Sequence, residues 1–373
     1  MQEVLLNTYL AYKARRSFVF ANYTWNDNGS QYSDYNGKKI PSQIPYSALI
    51  RGPSVGDPFH QGERAHPAIS RDYFEKICPD KLTIHRDEVQ KHLANPSNAQ
   101  VVTDAWLARL ADVQDPCVES HKESGQLYDY FVFGDPVAML EIWPSLSTSP
   151  VLTQFGWSSL VELGFDTNRE LFLPAASMGE PYFSSRPFTT NADRYSMIPG
   201  LMAIHVRRGD YDQHCVNLAN WGSLYLAFTS FPEMIDRFDP PPRGEGEEGE
   251  AAAQALYQPR CYPNIQDIVK KVREVRMTSA AQGVNKLYVM TNGNRLYLEE
   301  LAAALDRDSH WDMIATSRDM VLTQEQRYVA QAVDMLVGQR AQIFIGNGFS
   351  TVTSNIVTMR MANHFPADST RLW

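Results

Sequence analysis

Leu201-Met202-Ala203-Ile204-His205-Val206-Arg207-Arg208-Gly209-Asp210-Tyr211 is the stretch on which the fold turns: an apolar run broken only by His205 that passes directly into two guanidinium groups, a glycine and a carboxylate. Short continuous apolar runs bounded by turn residues read as strands buried on both faces, which is the habit of parallel sheets. In open parallel sheets ligands bind in the crevice beyond the carboxyl ends of the strands, and here two arginines arrive there together. The planar guanidinium fork makes paired hydrogen bonds to phosphate and stays charged at all working pH values. The same residues also allow a plainer reading, in which Arg207, Arg208 and Asp210 form a local ion pair that finishes the strand. An adhesion role for Arg208-Gly209-Asp210 is disfavoured by its position at a strand end.

Working outward, Lys286–Met290, Met313–Ala315 and Ile343–Ile345 read as further strands. Ile265, Ile268, Val269, Val272 and Val275 mark one apolar helical stripe, and Val329, Ala332, Val333, Leu336 and Val337 another. Strands and helices alternating at this spacing imply a parallel sheet covered on both faces. A second constellation, Ala341 to Val357, runs strand, glycine turn and hydroxyls opening a helix. Gly346 and Gly348 are expected to let the backbone turn and approach a ligand. Ser350 and Thr351 are expected to cap a helix whose free N–H groups favour an anion, although an ordinary N-cap fits the same residues. After the strand ending at Met290, Asn292 has an amide suited to a ribose or a base, or to a plain turn.

The amino-terminal half carries weaker signals. A helix over residues 1–16 leads into a strand at Ser17–Ala21; residues 26–67 read as long loops, 68–125 as mostly helical, and Tyr130–Phe133 as a strand ending in the turn Gly134-Asp135-Pro136. A boundary within 184–199 gives two domains, 1–196 and 197–373. Within the second, the Pro-, Gly- and Glu-rich stretch beginning at Asp239 predicts a disordered, solvated insertion at about 239–255.

A net charge of -9 argues against nucleic acid as a partner, because such proteins carry a basic face. No apolar run is long enough for a membrane segment, and no signal peptide or anchor is visible. Four scattered cysteines, Cys78, Cys117, Cys215 and Cys261, suggest neither a zinc site nor a disulfide scaffold. Asn22-Tyr23-Thr24 and Asn28-Gly29-Ser30 are glycosylation sequons. The motifs of P-loop, dinucleotide-binding, kinase and nucleophile-elbow proteins are absent, and Asp210-Tyr211-Asp212 belongs to the arginine loop rather than to a metal-binding Asp-x-Asp at a strand end.

The pair HVRRGD (205–210) after one strand and FIGNGFSTVTSN (344–355) after another resembles the peptide O-fucosyltransferase superfamily, over about residues 200–373. That resemblance implies an α/β, GT-B-like fold of two facing Rossmann-like domains with parallel sheets, the donor lying on the second and the acceptor groove in the cleft. It implies GDP-fucose as donor substrate, no cofactor and no metal, inverting transfer to a hydroxyl of a protein or glycan acceptor, and a location in the lumen of the secretory pathway. By likeness, Arg207 is the catalytic residue that stabilises the leaving diphosphate, and His205, Arg208, Asp210, Asn292, Asn347, Ser350, Thr351 and Val352 surround the donor. The likeness also implies a Cys215–Cys261 disulfide. The family's strand and glycine loop before the first helix have no counterpart here, so Gln2 is expected to match the glutamine of an Asn-Gln pair and the chain to be an amino-terminally truncated copy. No general base is assigned, Glu3 being as well explained by the helix start. The competing expectation is a non-catalytic descendant that binds a sugar nucleotide or glycan.

Overall fold

The computed structural model describes all residues from Met1 to Trp373 except Asp27, Asn36, Gly37, Gln61, Arg64 and Arg243. The chain forms two compact units that interleave in sequence. Met1–Leu163, Pro187–Arg194 and Thr323–Ala332 make the first, and Gly164–Arg186, Tyr195–Leu322 and Val333–Trp373 the second. The single division expected at residue 196 is therefore corrected. Aromatic anchors explain the early entry of 164–186 into the second unit: Phe172 meets the Tyr288 ring at 5.8 Å, Phe183 meets Tyr195 at 5.7 Å, and the Arg340 guanidinium lies over Phe165 and Phe183 at 5.1 and 4.9 Å.

In the first unit, helix Gln2–Lys13 buries Leu5, Leu6, Tyr9 and Leu10 and packs against helix Ala99–Ala111, which buries Val102 and Trp106. Asn98 caps the latter by accepting the N–H groups of Gln100 and Val101 at 2.9 and 3.0 Å. The described strands of this unit pair only in twos: Val19–Phe20 with Ile69–Ser70 and Leu82–Ile84 with Val118–Ser120 are parallel, and three other pairs are antiparallel. A second Rossmann-like sheet is thus not present among the described residues; runs of two to four residues are too short to build one. Tyr130–Gly134 is a helix, not a strand, because Asp129 accepts the N–H groups of Phe131 and Val132 at 3.0 and 3.4 Å and starts a helical turn. Cys78 and Cys117 are joined in a disulfide that the sequence reading did not anticipate.

The second unit supplies the α/β layer. Its strands are β1 (Ile198–Val206), β2 (Lys286–Thr291), β3 (Met313–Thr316), β4 (Ala341–Gly346) and β5 (Thr370–Leu372), all parallel in the order β3-β2-β1-β4-β5. Its main helices are α1 (Tyr211–Trp221), α2 (Gly246–Cys261), α3 (Ile265–Arg276), α4 (Arg295–Asp308), α5 (Ala330–Arg340, entering this unit at Val333) and α6 (Thr351–Ala362). One sheet face, with Met202, Ile204, Val206, Leu287, Val289, Ile343 and Ile345, packs with Ile268, Val272 and Val275 of α3 and Leu298, Leu301 and Leu305 of α4 in one core. The other face meets α5 and α6: a side chain at Gly338 would collide with Met290 of β2 and Ile356 of α6. β5, absent from the sequence reading, is short and polar at Thr370-Arg371, so no apolar run betrays it.

The expected disorder over 239–255 is corrected from Gly246 onward, where α2 forms. Ala251, Ala252, Ala253, Ala255 and Leu256 are strong helix formers, and Glu247 and Glu248 sit in the first turn where the dipole favours them. Ordering is offset by burial of Tyr257 against Phe238 and Phe349 (4.8 and 5.5 Å between rings) and by a disulfide from Cys261 to Cys215 of α1.

Candidate functional site

β1 enters the sheet first; β2 and β3 are added on one side, and β4 then crosses to the other. The order of strands reverses between β1 and β4, and a reversal of this kind leaves a crevice at the carboxyl ends. Arg207 follows β1 into that position, and the Gly346–Ser350 turn follows β4.

Side chains alternate across a strand, and the alternation persists one turn past the end of β1. Val206 and Arg208 fall on the α3–α4 face; His205 and Arg207 fall on the α6 face. The two arginines therefore have different surroundings. Arg208 is buried, donates from Nη2 to the Pro263 carbonyl and the Tyr297 hydroxyl and from Nη1 to the Arg207 carbonyl at 3.1 Å, and lies 4.4 Å from both the Tyr262 and Tyr297 ring centres. It is absorbed by the protein. Arg207 is 20% exposed, its Nε is buried without a hydrogen-bond partner among the described residues, and the Asp210 carboxylate lies 3.8 Å away, itself 82% exposed. The guanidinium stacks 4.7 Å over Tyr211, whose hydroxyl donates to the Phe349 carbonyl at 2.7 Å. Arg207 is thereby linked through one ring to Phe349, the residue before the N-cap of α6. Gly209, at φ +66°, supplies the left-handed turn between Arg208 and Asp210.

At α6 the expected cap is not made. Ser350 occupies the N-cap position with no side-chain cap hydrogen bond, and the N–H groups of Thr351 and Val352 have no acceptor among the described residues. Thr353 takes over part of the work: its hydroxyl accepts the Asn347 N–H at 3.0 Å and meets His205 Nδ1 at 2.9 Å. The helix N-terminus consequently keeps its positive end open. Ser350 and Val352 are buried and Thr351 is exposed. Gly346 and Gly348 do not have positive φ; they are glycines because a side chain would strike Thr353 at the first and the Tyr225 ring at the second. They permit close packing of protein on protein, which corrects the turn role expected of them.

His205 is buried, and burial first, with the Arg207 charge second, lowers its pKa to about 3. It is a neutral ring. The Thr353 hydroxyl bridges this ring and the Asn347 N–H, which ties His205 to the turn before α6. Asn292 and Asn347 serve the scaffold: Asn292 Oδ1 accepts the Arg208 N–H and its Nδ2 donates to the Arg208 carbonyl, both at 2.8 Å, while Asn347 Nδ2 donates to the Cys261 carbonyl at 2.6 Å and its Oδ1 accepts the Phe349 N–H at 3.0 Å. The ribose or base contact expected of Asn292 is thus replaced by a clasp between β2 and the arginine loop.

The disulfide that the resemblance implied is present, with Cys215 and Cys261 5.8 Å apart at Cα. The carbonyls of Cys261 and Pro263 hold Asn347 and Arg208, so this covalent link fixes the acceptor groups on which the loops after β1 and β4 are hung. Sequence reasoning missed Tyr211, Thr353 and Trp373. Trp373 donates from its indole to the His205 carbonyl at 2.8 Å and accepts from the Tyr225 hydroxyl at 2.8 Å. Only Thr353, three residues past the N-cap, had a positional signal.

Fold and site together define an α/β unit with a crevice where the strand order reverses. No protein-family model matches the chain, and no curated protein matches it in sequence. In structure it is similar to POFUT1 in complex with GDP-fucose, at a TM-score of 0.53 and 14% identity over 96% of this chain and 90% of that one. It is also similar to POFUT1 in complex with GDP, at 0.48 and 14% over 99% and 93%. The chain has a POFUT1-like fold; at this identity the likeness extends to the fold alone.

Proposed function

We propose that this chain is a glycosyltransferase that moves fucose from GDP-fucose to a hydroxyl of a protein or glycan acceptor, inverting the anomeric centre without a metal. The observation that carries the reading is the uncommitted Arg207 guanidinium tied through Tyr211 to the open N-terminus of α6. A cation and a row of free N–H groups at one strand reversal suit a diphosphate. In the transfer the acceptor hydroxyl attacks the sugar C1, the bond from C1 to the diphosphate oxygen breaks, and GDP leaves. Arg207 then opposes the charge that develops on the leaving oxygen. His205 holds no charge of its own, and through the Thr353 hydroxyl it braces the turn before α6. Ser350, Thr351 and Val352 meet the phosphates, with Asp210 at the rim, while Arg208, Asn292 and Asn347 keep the loops in place. Two disulfides support residence in an oxidising lumen.

The second reading is a binding-only descendant, in which Glu3, the acid nearest the helix start, serves the structure by accepting a hydrogen bond from Gln126 Nε2 at 2.9 Å. Calorimetric titration with GDP, GDP-fucose, GDP-mannose and UDP-sugars, with and without chelator, tests the donor site. Selective, chelator-insensitive GDP-fucose binding that Arg207→Ala abolishes is expected. A folded chain that ignores guanine nucleotides overturns the reading, and binding without turnover over a panel of acceptors selects the descendant.

A further inference from the structure

Two triplets near the amino terminus take no part in the nucleotide site. Asn22-Tyr23-Thr24 and Asn28-Gly29-Ser30 are the only Asn-x-Ser/Thr triplets in the sequence whose middle residue is not proline, and they lie six residues apart in the first unit. Asn22, Thr24, Asn28 and Ser30 are all exposed. In each triplet the hydroxyl residue folds back on its own asparagine. Thr24 Oγ1 donates to the Asn22 carbonyl at 3.3 Å, and the Ser30 N–H donates to Asn28 Oδ1 at 2.9 Å. The second contact is an Asx turn; it holds the carbonyl end of the Asn28 amide and leaves Nδ2 without a partner among the described residues. Gly29 turns at φ +82° with nothing within 4 Å of the place where a side chain would stand, so the approach to Asn28 is open.

We propose that Asn22 and Asn28 are N-glycosylation sites. In the modification Nδ2 attacks C1 of an oligosaccharide carried on a lipid-linked diphosphate. The C1–O bond to the diphosphate breaks, the diphosphate leaves with the bonding electrons, and the amide loses one proton to the transferring enzyme's base, giving an N-glycosidic bond. The proposal rests on the lumenal part of the function proposed above, because that donor and stable disulfides belong to the same oxidising compartment. The attached sugars have a surface to cover: Trp25, between the two sites, is 38% exposed, and Tyr32, two residues after the second triplet, is 55% exposed. Asn95-Pro96-Ser97 is an internal control. Asn95 is exposed and its Oδ1 accepts the Ser97 hydroxyl at 2.7 Å, yet Pro96 excludes it from the motif.

The test uses the full-length protein isolated from its own cells, alkylated before and after reduction to score the cysteines, then treated with a peptide-N-glycosidase in 18O water and mapped by mass spectrometry. Oxidised cysteines with labelled aspartate at positions 22 and 28 and unmodified Asn95 are expected. Thr24→Ala and Ser30→Ala should each remove one glycan, and the double variant should self-associate more readily than the parent. Oxidised cysteines with bare Asn22 and Asn28 overturn the sites while leaving the lumenal reading in place. Reduced cysteines with bare asparagines overturn both.

Discussion

Arg207 and Arg208 are adjacent and chemically identical, and strand alternation sends them to opposite faces of one sheet. Replacing Arg207 with alanine removes a guanidinium that holds little of the protein together, so melting should change little. On the proposed function, kcat/KM should fall by about 10² to 10³, or roughly 3 to 4 kcal/mol of transition-state stabilisation. Near-normal turnover in that variant defeats its catalytic role. Arg208→Ala should do the reverse first: it strands the Pro263 carbonyl, takes the donor from the Tyr297 hydroxyl and strips the cation from two tyrosine faces, at a cost of about 2 to 4 kcal/mol read as a lowered unfolding midpoint. Lysine at 208 should rescue poorly, because one ammonium cannot span the donor geometry of the fork. If the two alanine variants melt alike, the division of labour drawn from the alternation is wrong.

Among the elements, the segment from Cys261 to Pro263 between α2 and α3 bears on both loops while belonging to neither. Replacing Cys215 and Cys261 together by alanine should destabilise by about 4 kcal/mol on the chain-entropy account, given their separation of 46 residues. Because the carbonyls of Cys261 and Pro263 hold Asn347 and Arg208, guanine-nucleotide affinity should, on the proposed function, also fall in the fraction that remains folded; calorimetry below the melting range separates the two effects. This coupling was not legible in the sequence. The strands of the second unit were, since Leu201–Val206, Lys286–Met290 and Ile343–Ile345 are apolar on both faces and a fully covered parallel sheet demands nothing else. Arg207 and the open end of α6 could be placed from the strand ends alone. What failed was whatever depends on the partner rather than the residue. Asn292 and Arg208 look like ligand groups until the backbone they grip is known, Gly346 and Gly348 look like hinges until Thr353 and Tyr225 are seen against them, and Tyr130–Phe133 is apolar enough for a strand until Asp129 caps it.

For the whole molecule, buried His205 and half-buried Asp334 shape the response to pH in opposite senses. Burial, with Arg207 second, lowers His205 from 6.5 to about 3, so below pH 6.5 the unfolded chain takes up a proton that the fold refuses, and stability falls as pH falls. Asp334 on α5 accepts hydrogen bonds from Tyr288 and Ser317 at 2.8 and 3.0 Å, yet burial raises it from 3.8 to about 7. Its contribution is present below the unfolded value and is lost as pH rises toward 7. Between pH 4 and 6.5 the two slopes oppose each other. Urea midpoints should therefore fall with rising pH in His205→Gln and rise with pH in Asp334→Asn; parallel profiles in the two variants contradict the assignment. The Cys215–Cys261 bridge has one more consequence, for a chain that has been cut. It closes a covalent ring around the exposed stretch that includes Glu245, Glu247 and Glu248. A glutamate-specific protease that nicks the ring severs the backbone without releasing either piece, so the nicked protein should run as one band until reductant is added and as two afterwards.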